Sequence, residues 1–188
     1  MKNVARLTLL AAALWSSSSA PSLSAAIAVC ERQMQKAANA QGVPLGVLYA
    51  VGMTESGRKG SLHPYALNIE GRTVFAGSEA EALLVFADAR KSGAKLIDVG
   101  CMQINHYYHG SRFHSVKAMF DPALNIRYAA QFLRELRGRE GSWTMAVARY
   151  HAGPNNNPAQ KRYICAVIRN LVASGFGNWT KSARSFCK

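Results

Sequence analysis

The sequence predicts a mainly α domain of the α+β kind, a helical body with a small β-hairpin insertion over a cleft. Three observations carry that class. Apolar residues recur at helical spacing through most of the chain from Ile27 to Leu171. Capping residues and glycines punctuate those stretches where helices should begin and end. One segment, Pro64 to Phe75, alternates around a turn as a hairpin does. At 188 residues, 49 % of them hydrophobic, and with no internal repeat or low-complexity tract, the chain is one domain with room for a core.

The elements follow in order. Lys2 and Arg6 precede an apolar run, Leu7 to Trp15, and a Ser/Ala-rich stretch ending at Ala26. That is the pattern of a cleaved secretory leader, residues 1–26, and the run is too short for a membrane anchor. Residues 27–188 then form the domain, closed by a basic C-terminal tail. Ile27, Cys30, Met34, Ala37 and Ala38 give a first helical stripe that stops at Gly42, and Pro44 suits the first turn of a second helix.

After the hairpin, Ser78 with Glu81 forms a capping-box signature for a helix to about Lys91, closed by Gly93. His106 to His109 reads as an aromatic, imidazole-rich loop. Asp121-Pro122 caps and starts a helix burying Ile126, Ala129, Leu133 and Leu136 and ending at Gly138. Ser142 caps a short helix to about Tyr150. Pro158 opens a last helix with Tyr163, Ile164, Val167, Ile168 and Leu171 inward, ended by Gly175.

Export places the four cysteines in an oxidising compartment, where an even number favours disulfides over a metal site. No Cys-x-x-Cys or His-x-x-x-His spacing supports a metal, and neither metal nor cofactor is expected. Four cysteines allow three pairings, and sequence alone does not choose. Cys30 with Cys101 and Cys165 with Cys187 is the favoured set, since the second pair would staple the basic tail to the last helix. The formal charge of +13 draws the chain to polyanions. For an exported protein the cell wall or membrane surface is the expected partner. Nucleic acid, stable membrane insertion and oligomerisation are not expected.

The chemistry is approached by elimination, because the chain has ten carboxylates. Glu31 stands beside Arg32, Glu70 at a hairpin turn, and Glu79 and Glu81 in a first helical turn, where negative charge is favoured without catalysis. Asp88 has basic neighbours, Asp121 is a cap, Glu135 can pair with Arg139, and Glu140 reads as loop. Glu55 and Asp98 remain. Only Glu55 falls on an apolar helical face, in register with Leu48 and Val51. Burial and a helix C-terminus both disfavour its ionised form, which is the state a general acid needs near neutral pH. The plain alternative is a helix-end glutamate that points into solvent.

Three stretches in order now carry a resemblance: Glu55-Ser56-Gly57, Gly100-Cys101-Met102-Gln103-Ile104-Asn105 and Tyr150-His151-Ala152-Gly153. Together they resemble the soluble lytic transglycosylase family, with its goose-type lysozyme-like fold, over about Cys30 to Tyr163. The resemblance implies a periplasmic lyase that cleaves the β-1,4 bond between N-acetylmuramic acid and N-acetylglucosamine in peptidoglycan and leaves a 1,6-anhydro sugar. It implies Glu55 as the single acid and base, with the substrate's N-acetyl oxygen as nucleophile.

Ser56, Gln103, Asn105, Tyr150 and His151 are the implied substrate-binding residues, with the Tyr150 hydroxyl expected to bond the catalytic carboxylate. His151 departs from the family's usual asparagine. Asp98 can hold a water for hydrolysis, or bond backbone amides as a loop carboxylate. His106, Tyr107, Tyr108 and Phe75 can stack sugars, or pack beneath the hairpin. The short chain suggests local wall opening for a secretion, conjugation or motility apparatus. The alternatives are a hydrolytic muramidase on the same fold and a glycan-binding protein without activity.

Overall fold

The computed structural model describes residues 23–153 and 155–188, with the backbone alone for residues 23–28. The expected leader lies almost wholly outside the described residues. Nine α-helices, one short 3-10 helix (Gly110–Arg112) and one four-stranded antiparallel sheet are the regular elements of the described residues. This is the mainly α, lysozyme-like α+β class expected. Among the described residues no helix is long and apolar enough to cross a membrane.

Helices α1 (Leu23–Gln41) and α2 (Leu45–Ser56) form a pair, and α6 (Pro122–Glu140) packs on α1 and on α7 (Trp143–His151). Helix α8 (Asn157–Ala173) lies against α2 and α7. The core these helices share includes Met34, Leu48, Val51, Ile126 and Leu133, all fully buried. Helix α3 (Glu79–Lys91) starts at Ser78, whose hydroxyl accepts from Glu81 N at 3.2 Å. Glu81 closes the box one residue early, accepting from Gly77 N at 2.7 Å.

Strands β1 (Ala66–Ile69) and β2 (Arg72–Phe75) make the expected hairpin, and the turn residues Glu70 and Gly71 both have positive φ, as a type I′ turn requires. The hairpin is only half of the sheet. β3 (Ile97–Val99) adds to β1, and β4 (Ile104–Asn105) adds to β3, giving the order β2-β1-β3-β4. In register, Asn68 of β1 faces Asp98 of β3, and Asp98 faces Asn105 of β4. Buried Leu67, Ile69, Ile97, Val99 and Ile104 flank these residues along their strands. Strand alternation therefore sends the apolar residues to the core and aligns three polar ones on the other face.

Several expected boundaries move. Helix α6 runs through Gly138 to Glu140, and Gly141 ends it at φ 75°, a left-handed conformation only glycine adopts cheaply. Glu140 is thus helical and pairs with Arg149 at 3.3 Å, while Glu135 accepts from Gln131 Nε2 and not from Arg139. His106 to His109 is a short helix, α4, because Asn105 caps it by accepting from Tyr107 N and Tyr108 N at 3.0 and 3.3 Å. Helices α5 (Val116–Phe120) and α9 (Lys181–Phe186) were not expected; each begins at a hydroxyl cap, Ser115 and Thr180. The disulfides are Cys30–Cys101 and Cys165–Cys187, the favoured pairing, and the second fixes the tail beyond α9 to α8.

Candidate active site

The polar row of the sheet floors a cleft of about 300 Å³. Glu55 enters it from the last turn of α2, and Tyr150 and His151 enter from the end of α7. Gln103, Tyr108, His109 and Phe132 complete the walls.

Glu55 is half-buried and its carboxyl is pushed up to about 8. Burial is the first cause; a hydrogen bond from Tyr163 opposes it, and the Asp98 charge adds to it. The Tyr163 hydroxyl donates to Glu55 Oε1 at 2.5 Å. Burial, then the neighbouring glutamate, holds that phenol well above its ordinary value, so it remains a donor. One residue earlier, Asn170 Nδ2 donates to Thr54 Oγ1 at 2.9 Å, so α8 grips the end of α2 at two adjacent positions.

Asp98 is raised by burial and held back by Asn105, whose Nδ2 donates to Asp98 Oδ1 at 2.7 Å. Asp98 is therefore a strand residue bonded to a side-chain amide, not a loop carboxylate bonded to backbone. Most of the other carboxylates have structural partners. Glu31 Oε1 accepts from Ser61 Oγ and Leu62 N, Glu70 from Lys95 N, and Asp121 from Leu124 N, and Glu79 pairs with Lys117. Asp88 is exposed on α3.

The β3–β4 turn, Gly100 to Gln103, is the best-tied segment of the site. Gly100 has φ 82°, and a Cβ there would stand 2.5 Å from Asn125 Nδ2. Asn125, fully buried, donates to Val99 O and Met119 O and accepts from Met102 N. Gln103, also at positive φ, donates from Nε2 to Ala66 O and Gly100 O, which leaves its carbonyl oxygen to offer a ligand.

Of the residues expected to contact substrate, Gln103, Asn105, Tyr150 and His151 line the cleft. Ser56 does not: at 2 % exposure it donates to Cys101 O at 2.6 Å and ties the end of α2 to the β3–β4 turn. Tyr150 is in the cleft, but its hydroxyl donates to Met102 O at 2.8 Å and not to the glutamate. The phenol on Glu55 belongs to Tyr163, read from sequence as an inward-facing core residue. Only its place on the helix after the Tyr150-His151 stretch could have marked it. His151 stacks flat on Tyr163, with rings 4.2 Å apart and 2° from parallel. Phe75 packs with His63 under Arg58, and His106 packs on Phe86; of the four candidate stacking residues only Tyr108 lines the cleft. Among the described residues no group of three or more His, Cys, Asp or Glu could hold a metal ion.

A half-buried glutamate with a raised pKa at a helix end, in an open cleft floored by Asn68, Asp98 and Asn105, is an arrangement that suits general acid catalysis on a sugar. The family model of the transglycosylase SLT domain matches residues 32–167. The chain belongs to the transglycosylase SLT family. SLT proteins are lytic transglycosylase-type proteins that act on peptidoglycan outside the cytoplasm. The match runs from the middle of α1 into α8, so it takes in every cleft residue named above. Searches of curated proteins and of solved structures return no match to this SLT chain.

Proposed function

We propose that this protein cleaves the β-1,4 bond between N-acetylmuramic acid and N-acetylglucosamine in peptidoglycan and forms 1,6-anhydro-N-acetylmuramic acid. The observation that carries the reading is Glu55, protonated up to about pH 8 and bonded by Tyr163 inside the cleft.

Protonated Glu55 gives its proton to the glycosidic oxygen as the C1–O bond breaks. The N-acetyl oxygen of the muramic acid attacks C1 from the other side. Glu55, now ionised and steadied by the Tyr163 hydroxyl, takes the proton of the 6-hydroxyl. That oxygen displaces the acetamido oxygen at C1 and closes the anhydro ring. The glutamate ends protonated, as it began, and no water is consumed. Gln103, Asn105, Tyr150 and His151 are proposed to hold the sugars, and Ser56 to hold the end of α2.

Export to the periplasm through residues 1–26, action as a monomer and service to a secretion, conjugation or motility apparatus complete the proposal. A second reading, hydrolysis, is favoured by Asp98, which lines the same cleft and raises Glu55 through its charge. Product masses separate the two: anhydro ends support the transglycosylase, and reducing ends without anhydro sugar support the hydrolase. If Glu55→Gln left wall-lytic activity intact, the assignment of Glu55 as the catalytic acid would fall; a wild type that binds glycan strands without cleaving them would leave the glycan-binding role.

A further inference from the structure

Beside the cleft lies a second cavity of about 170 Å³, on the far side of the pair His109 and Tyr128. Their contact is the dividing wall: Tyr128 Oη and His109 Nδ1 are 2.8 Å apart. Phe132 of the cleft stacks on the same Tyr128. The inner surface of the second cavity is apolar and half-buried, with Phe113 against Tyr128 at 5.1 Å. Its outer surface carries exposed Arg112, His114 and Arg127.

No carboxylate lines this cavity. Among the described residues the ion pairs are Lys117–Glu79 and Arg149–Glu140, so both guanidiniums lack an ion-pair partner. Glu135, whose charge reaches Tyr128, already accepts from Gln131 Nε2 at 2.9 Å. The Arg112 charge is felt within the wall, where, after burial, it is the next cause lowering His109.

A cavity with an apolar inner surface and two unpaired guanidiniums fits a small side chain next to a carboxylate, which arginine grips through two parallel bonds. We propose that this cavity binds the peptide stem of the substrate, with Arg112 and Arg127 taking a stem carboxylate while the muramic acid occupies the cleft. The inference rests on the peptidoglycan reading above. Peptidoglycan supplies the geometry: each muramic acid carries a short peptide of small residues and free carboxylates, so a sugar seated in the cleft brings its stem to the cleft edge.

The test measures pelleting of Glu55→Gln protein with purified sacculi, freed of accessory polymers and either intact or stripped of peptides by an amidase. Adding Arg112→Ala and Arg127→Ala should weaken binding to intact sacculi about tenfold or more, the scale of a charge-assisted pair, and leave binding to stripped glycan unchanged. A control with the same loss of charge, Lys36→Ala with Arg169→Ala, lines neither cavity and should bind as the parent does. Equal losses on both substrates, no loss on either, or an equal loss in the control would overturn the proposal. If the parent binds both glycans while the arginine pair makes no difference, this inference fails alone. If the parent binds neither, the peptidoglycan reading fails with it.

Discussion

The Tyr163 hydroxyl donates to Glu55 Oε1 across 2.5 Å, joining α8 to the last turn of α2 at the one carboxylate held near pH 8. This bond stabilises the ionised glutamate, while burial destabilises it more. The raised value favours the protonated form at neutral pH, and the Tyr163 hydroxyl is in place to donate to the ionised form.

Tyr163→Phe removes that donor without changing the ring. Its loss raises the Glu55 carboxyl further, so the alkaline limb of the kcat/KM profile, set by loss of the Glu55 proton, should move to higher pH. A hydrogen bond to a charged group contributes about 1.5–3 kcal/mol, so kcat should fall roughly tenfold to a hundredfold. A profile superimposable on the wild type would show that the bond has no part in the proton transfers.

The same shift makes stability depend on pH. Unfolded, Glu55 ionises near its ordinary 4.5; folded, it holds its proton to about 8. Between those values the native state binds more protons, so this residue's contribution is full below pH 4.5 and is lost as pH rises to 8. Glu55→Gln cannot ionise. Thermal unfolding should show the variant gaining on the wild type from pH 5 to pH 9, by up to a few kcal/mol once partial exposure is discounted. A difference constant with pH would contradict the raised value.

Asn125 holds the β3–β4 turn through bonds to Met102 N, Val99 O and Met119 O. Asn125→Ala leaves those groups buried and unpaired. Urea denaturation should record a loss on the order of 3 kcal/mol. A loss below about 0.5 kcal/mol, the scale of ordinary surface changes, would show that the turn does not depend on this residue.

The two disulfides should differ in kind. Chain-entropy arguments give about 3 kcal/mol for Cys165–Cys187, which spans 22 residues, and about 4 kcal/mol for Cys30–Cys101, which spans 71. Cys101 adjoins Met102 and Gln103, and its carbonyl accepts from Ser56 beside Glu55. Replacing the first pair by serines should lower Tm with activity kept at temperatures where the protein stays folded. Replacing the second pair should lower both. Equal activity losses in the two variants would remove the link between the turn and the site.

How far the sequence foretells this site depends on the range of each interaction. The helices were legible because their signals are local: Asp121, Ser142 and Ser78 cap the residues that follow them. Glu55 stood out because helical spacing sets it in line with Leu48 and Val51. Strands β3 and β4 are three and two residues long, too short for alternation to register until β1 supplies a partner. Once paired, they line up Asn68, Asp98 and Asn105.

Tyr163 and Asn125 were missed for the same reason. Each sits on an inward face among apolar neighbours, and its polar atom finds its partner 108 residues away in one case and 23 in the other. Gly138 drew the end of α6 too early because glycine in a helix interior is tolerated at modest cost, whereas the left-handed turn came at Gly141.

The central claim is that one glutamate serves as acid and then base with no water consumed. Digestion of purified peptidoglycan by the wild type and by Glu55→Gln, with product masses determined, tests it most directly. The account predicts 1,6-anhydro ends from the wild type and no products from the variant; reducing ends from the wild type, or undiminished cleavage by the variant, would contradict it.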